Sequence, residues 1–456
     1  MKRSLALLLA LTFLLPATGC APGGSNRNAN HAMFALATPV YPEMTPYPDE
    51  MSYMNDVTRE FDSDAFSADY EAWWADQRAQ RDKGLADHSQ LSPFLASSIR
   101  QFLSDSQGEN RVYSPLNVYM ALGMLAELTD GNSRQQILDL LGADSMESLR
   151  EQASGVWNAH YRNDGAVTSI LASSLWLNED VTFEQETMDT LAEIYYASSY
   201  QGQMGSAEFN KALQSWLNEQ TGGLLEEQTK AVEMAPETIL ALATTNYFRA
   251  KWSSEFSETA TKEGVFHSAD GDETCDFMYQ SGSRNYYWGD QFSAVGQYLE
   301  NNGAMWFILP DEGVDVDALL GDDEVMEFLL RDEEWANSKF LTVNLSIPKF
   351  DVTSQLDLST GLQSLGVTDV FDPAVSDYTP MTKEMENIFL GQAKHDARVT
   401  IDEEGCTAAA YTVMRVCGSA MPPEEEVDFV VDRPFIFTIT GADGMPLFVG
   451  VVNHPV

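Results

Sequence analysis

The hydrophobic pattern changes period partway along the chain. In "SPFLASSIRQFLSD" (92–105), Phe94, Ile99 and Phe102 fall on one face at helical spacing. "SPLNVYMALGMLAELTDGNSRQQILDLLG" (114–142) reads as a longer apolar helix, a loop at Asp130–Asn132, and an amphipathic helix stopped by Gly142. Further on, apolar residues come in short runs rich in aliphatic, Thr and aromatic side chains. "SILASSLWLNED" (169–180), "TILALATTNYFRAKW" (238–252), "AMWFILPDEG" (304–313), "LTVNLSIPKFDVT" (341–353), "FVVDRPFIFTITG" (429–441) and "LFVGVVNHP" (447–455) all read as strands. Helices early and strands late predict an α+β domain with antiparallel or mixed sheets, not a regular βαβ alternation.

The stretch 405–416 is harder to place. As a strand it puts Cys406, Ala408, Ala410, Thr412, Met414 and Val416 on one face, all small or apolar. Thr407, Ala409, Tyr411, Val413 and Arg415 fall on the other face, with the only charge. No Pro occurs before Pro422, so no ladder hydrogen bond would be lost. Gly405, after the acids Asp402, Glu403 and Glu404, supplies a pivot. Taken alone, the run also suits an exposed Ala-rich linker or, through Ala408–Ala410, a helix.

The rest of the chain sets the surroundings. "MKRSLALLLALTFLLPATGC" has a basic start, an apolar run too short to span a bilayer comfortably, and small residues ahead of Cys20. It resembles the lipobox of bacterial lipoproteins, which implies a signal peptide over 1–20 and lipidation at Cys20. The mature protein would then be secreted and anchored through that lipid at the extracellular face of the bacterial membrane. Residues 21–87, with "APGGSNRNAN" and the proline-rich "TPVYPEMTPYPDEM", read as a flexible tether. Within it "DYEAWWADQRAQRDK" suits a short helix through which Trp73 and Trp74 could dock on the body, which occupies 88–456.

A net charge of −44 argues against nucleic acid as a partner, because phosphate binding needs Lys and Arg. Beyond Cys20 the remaining Cys275, Cys406 and Cys417 do not form a disulfide framework, and no zinc spacing occurs. The nucleophile elbow, the zinc-protease helix, the phosphate-binding loop and the dinucleotide fingerprint are all absent. His395 and Asp396 are adjacent, so on a strand they point opposite ways, and a buried hydrogen-bonding role suits His395 better than catalysis. No enzymatic centre and no cofactor are expected.

With these residues in view, the sequence resembles the serpin family. "TIDEEGCTAAAYT" (400–412) is similar to the hinge of the serpin reactive-centre loop. "NRVYSPLNVYMALGMLAELTDGNSRQQILDLLG" (110–142) resembles the shutter segment and its helices. "FNKALQSWLNEQTGG" (209–223), "NYFRAKWSSEF" (246–256), "FMYQSG" (277–282), "FILPDEG" (307–313), "IPKFDVTSQLDLSTGLQSLGVTDVF" (347–371) and "FVVDRPFIFTITGADGMPLFVGVVNHP" (429–455) match later landmarks in order.

The resemblance implies three β-sheets, about nine helices and an exposed reactive-centre loop in one domain. It also implies a suicide mechanism. A target serine protease cleaves the loop, is held as an acyl-enzyme, and is dragged across the molecule as the loop inserts into the central sheet. It places the hinge at Glu403, Glu404, Gly405, Cys406, Thr407, Ala408, Ala409 and Ala410. Glu403 and Trp252 align where the loop enters the sheet, and Ser114 and His395 align with the shutter.

Two departures stand out: Cys406 replaces the usual Thr or Ser, and Thr244 stands where the family carries an Asn. The family spacing from Glu403 puts the reactive bond at Ser419–Ala420; counting back from Phe429 puts it one or two residues later, near Met421, and the hinge side is preferred because trapping constrains the length of the inserted strand. Small flanking residues there suit elastase-like or subtilisin-like proteases. The expected molecule is a monomer that forms a covalent complex with its target. The alternative on the same fold is a non-inhibitory surface binding protein.

Overall fold

The computed structural model describes residues 31–55, 58–85, 87–300, 303–331, 333–406 and 423–455. The helical half of the body follows from the local chemistry. Pro115 opens the helix Pro115–Leu128 at the one position where a missing N–H is harmless, and nearly every residue of this helix is buried. Asp130 caps the next helix, Gly131–Leu141, so the expected loop shrinks to a single turn. Gly142 stops it in the left-handed region, at φ 68°. Ser145 caps Met146–His160 by accepting from the Ser148 amide. Among the described residues there are eleven α-helical segments, of which four are shorter than eight residues.

The central sheet runs Ala35–Ala37, Ala197–Gly202, Thr168–Asn178, Leu240–Lys251, Gly405–Cys406, Lys394–Ile401, Phe350–Asp357, with Arg162–Asn163 attached at its side. Two further sheets share the strand Gly271–Trp288. Its residues 271–277 pair with Lys262–Ser268 and its residues 277–287 with Ser338–Pro348, and the latter also carries Glu426–Val430 in parallel. Its end pairs with Phe292–Tyr298, which leads through Ala304–Pro310, Phe435–Thr440 and Pro446–Val452 to Arg111–Tyr113. The fold is therefore the expected α+β arrangement of three sheets with helices, and one large core joins them.

The expectation of a flexible tether does not hold over the described part of 21–87. Asp62 caps a helix over Ser63–Arg81, 19 residues long, that lies on the body. Trp73 is only 4% exposed, and its indole N–H donates to Asp164 Oδ2 at 2.9 Å. Gln80 donates to Asn158. Ala35–Ala37 extends the central sheet against Ser199 and Tyr200. Tyr41 stacks 5.5 Å from Trp157. Proline does break helix here, but an extended proline-rich chain still buries its aromatic side chains when apolar partners lie alongside. The leader 1–30, including Cys20, lies outside the described residues.

Candidate functional site: hinge, breach and shutter

Gly405 and Cys406 form a two-residue strand inside the central sheet. Gly405 pairs with Lys251, and Cys406 lies between Ala250 on one side and Ile401 on the other, antiparallel to both. Among the described residues, this pair is the only hydrogen-bonded link between the strands Leu240–Lys251 and Lys394–Ile401. Gly405 is required by space. A Cβ there would meet Ala250 O at 2.4 Å and Lys251 Cα at 2.7 Å, and backbone atoms cannot swing away. Cys406 is buried, with its sulfur 3.8 Å from Met305 Sδ, and burial pushes its thiol far above the ordinary range. It behaves as a small apolar residue, so the substitution of Cys for Thr or Ser is compatible with a core-facing position.

The turn before the pair is held from several sides. Asp402 Oδ1 accepts from the amides of Glu404 and Gly405. Trp252 is 1% exposed; its indole N–H donates to Asp402 O at 2.9 Å and its backbone N–H to Glu404 O at 3.0 Å. Phe256 donates its backbone N–H to Glu403 O. The Glu403 carboxylate takes Thr261 Oγ1–H at 2.7 Å and Lys349 Nζ at 2.9 Å. Burial alone would raise this carboxyl, but the bonds from Lys349 and Thr261 outweigh it and hold it below its usual range. Glu403 and Trp252 thus meet beside the Gly405–Cys406 pair, at the place to which the resemblance assigns the entry of the loop. Lys349, Thr261 and Asp402 complete the cage and had not been singled out.

Lower in the sheet, Ser114 and His395 also meet. The Ser114 amide donates to His395 Nε2 at 3.0 Å, and its hydroxyl donates to Leu447 O at 2.7 Å. Thr244 does not join them. Asn246 does: its Nδ2 donates to Ser114 Oγ at 2.9 Å and to Leu447 O at 3.3 Å. Residues two apart on a strand share a face, so an amide at 246 reaches the side that 244 would have served. Asn246, and not residue 244, thus supplies the amide that reaches Ser114 and Leu447.

His395 accepts a hydrogen bond on Nε2, so its ring is neutral, and complete burial pushes its pKa down to about 4. Between that value and the ordinary 6.5 the unfolded chain binds more protons than the folded one. The contribution is thus fully present above about pH 6.5 and is lost as pH falls towards 4, by roughly 3 kcal/mol in total. Melting temperature should fall over this window, and in His395→Gln, which still accepts from Ser114 but does not titrate, that part of the slope should vanish. An unchanged slope in the variant would remove His395 as its source.

Thr407, Ala408, Ala409, Ala410, Ser419 and Ala420 lie outside the described residues. Similarity supplies the wider frame. The chain is 28% identical over 392 residues to Serpin-ZX of Arabidopsis thaliana, covering 82% of this chain and 98% of that protein. It is 29% identical over 373 residues to the leukocyte elastase inhibitor of Sus scrofa, covering 79% and 97%. In three dimensions it matches the native state of the thermophilic serpin tengpin with a TM-score of 0.71 and 23% identity, over 81% of this chain and 95% of that one. The family model described as Serpin (serine protease inhibitor) matches residues 90–455, which contain the hinge, its cage and the Ser114–Asn246–His395 cluster alike; the chain belongs to the serpin family.

Proposed function

We propose that the protein is a surface-anchored suicide inhibitor of serine proteases. The observation that carries this reading is the hinge: Gly405 and Cys406 sit in register between two strands of the central sheet, where an inserting loop has to begin. The target's serine attacks the Ser419 carbonyl, the bond to Ala420 breaks, and Ala420 leaves as a new amino terminus. The ester-linked loop then follows Cys406 into the sheet, carrying the protease with it before water can hydrolyse the ester. Small residues before the bond suit an elastase-like or subtilisin-like pocket, and the likeness to a leukocyte elastase inhibitor agrees with that class. Lipidation at Cys20 would hold the inhibitor, as a monomer, at the outer face of a bacterial membrane.

Mixing the purified protein with a panel of serine proteases should give a complex that survives SDS and heat. Mass spectrometry of the C-terminal peptide released from the denatured complex should find it beginning at Ala420. A peptide beginning at Val416 would overturn both the bond and the proposed specificity. Cleavage with no stable complex for any protease would favour a non-inhibitory binding protein.

A further inference from the structure

The docked N-terminal segment leaves little chain between the body and the residue proposed to carry the lipid. Ten residues, Ala21–Asn30, separate Cys20 from His31. Fully extended, such a stretch spans at most roughly 40 Å. With Cys20 in the outer leaflet, the first docked residues can stand no further off than that. The element that follows, Ala35–Ala37, is the outermost strand of the central sheet and pairs on one side only, with Ala197–Gly202. One edge of the sheet is therefore the part of the body nearest the anchor along the chain.

The surface of that edge differs from the rest of the molecule. Val40 is 89% exposed and Met33 79%, the two highest values of any large apolar side chain among the described residues, and Leu36 is 58% exposed. Phe34 and Tyr41 pack inward instead, Phe34 at 5.0 Å from the Phe209 ring and Tyr41 on Trp157. The segment thus has its own anchors, and its docking leaves Met33, Leu36 and Val40 outside the core. Single exposed apolar residues are ordinary, but three within eight positions need a reason. Charge supplies a second observation. No Asp or Glu occurs before Glu43, and from Ala21 to Pro42 the one charged residue is Arg27. At the chain's average of 70 acidic residues in 456, about three would be expected over those 22 positions. Carboxylates return at the margins, in Glu43 along the chain and in Glu219, 3.8 Å from His31. On a protein of net charge −44, an acid-free segment is the part that can approach anionic headgroups without repulsion.

We propose that Met33, Leu36 and Val40 form a membrane-contacting face that sits in the interfacial region of the bilayer holding the lipid anchor. The inference rests on the anchoring at Cys20 proposed above and adds an orientation to it. A lipid alone keeps the protein at the surface, whereas apolar side chains beside it fix which side of the body meets the bilayer. A second copy of the chain is the less favourable occupant, because two bodies of net charge −44 repel each other. The contact also spares the trapping path. Gly405–Cys406 lies four strands in from this edge, roughly 20 Å at the usual strand spacing, so the gap between its neighbours stays clear of the bilayer.

Photo-labelling of the full chain tests the face. The protein, made with its leader in a bacterium, is reconstituted into vesicles of phosphatidylethanolamine and phosphatidylglycerol that contain a diazirine-bearing phosphatidylcholine. Mass spectrometry then maps the labelled peptides and reads the mass at Cys20. Label should appear on the peptide spanning Met33–Val40 and not on the one carrying Phe340, which is 59% exposed on another sheet. Combining Met33→Ser, Leu36→Ser and Val40→Ser, all at exposed positions, should cut the labelling by at least about tenfold and leave the melting temperature unchanged. Equal labelling of the Phe340 peptide, or undiminished labelling of the triple variant, would overturn the face. A lipid on Cys20 with no label at 33–40 would also overturn it, while leaving the anchoring intact. An unmodified Cys20 with label at 33–40 would remove the anchor and keep the face. A dimer seen by sedimentation in detergent and lost in the triple variant would assign these residues to a second copy instead.

Discussion

A Gly405→Val variant should be cut by the target protease and fail to hold it. The missing Cβ is what lets residue 405 lie against Ala250 O and Lys251 Cα, and both are backbone atoms of a strand that cannot retreat. A branched side chain there should expel the first inserted pair and stall everything behind it. Ala408→Arg attacks the next turn of the same process. By strand parity residue 408 shares the face of the buried Cys406, so insertion would bury an unpaired charge at several kcal/mol. Because about 1.4 kcal/mol on the insertion barrier is one decade in rate, each variant should shift the outcome from complex to cleaved protein by at least roughly tenfold. The cleavage rate should stay near that of the parent, since the bait bond is untouched. Undiminished complex formation in both variants would show that the pairing at Gly405–Cys406 is not the start of the trapping path.

Cutting the loop of the free protein should raise its melting temperature sharply. In the intact chain the strands Leu240–Lys251 and Lys394–Ile401 are joined, among the described residues, only through Gly405 and Cys406. A severed loop is free to continue from Cys406 as a full strand with a ladder on each side. Each backbone bond contributes on the order of 1 kcal/mol net, so a dozen residues stabilise the sheet by on the order of 10 kcal/mol. A rise of more than about 10 °C follows from that figure. Differential scanning calorimetry of intact and nicked protein measures it. Equal melting temperatures would end the inhibitor proposal while leaving the fold untouched.

Much of this was legible in the sequence because the deciding residues carry strong local patterns. Pro115, Gly142 and the apolar face of Phe94, Ile99 and Phe102 speak for their helices without reference to anything distant. The parity of 405–416 likewise marked Cys406 for a core. The long strand Gly271–Trp288 was not seen in the hydrophobic pattern, since it is half-exposed and rich in Asp, Glu, Ser and Asn. It is a strand because neighbours pair with both of its ends. Lys349 and Thr261 were missed for a related reason: nothing local distinguishes a lysine that will reach Glu403, 54 residues on, from any other. Asn246 escaped because the resemblance placed the family's Asn at Thr244, and nothing local shows that an amide two residues on, sharing the same face of the strand, will reach Ser114. The N-terminal segment misled only in part: its prolines suggested a flexible tether, whereas the short helix carrying Trp73 and its docking on the body were read from the sequence.

Cys406 paired with both Ala250 and Ile401 also sets a reading frame for the loop. Once that residue is seated, every later residue is committed to one face or the other by whether its distance from Cys406 is even or odd. On the proposed mechanism, the residues around Ser419 can therefore diverge freely as targets change. Insertion or loss of a single residue between Cys406 and the bond would instead invert the two faces of everything beyond the change; ahead of Tyr411 it would send Tyr411 and Arg415 towards the core and Met414 and Val416 away from it. Loops of this protein's close kin should consequently differ by substitution, or by paired additions, far more often than by one residue.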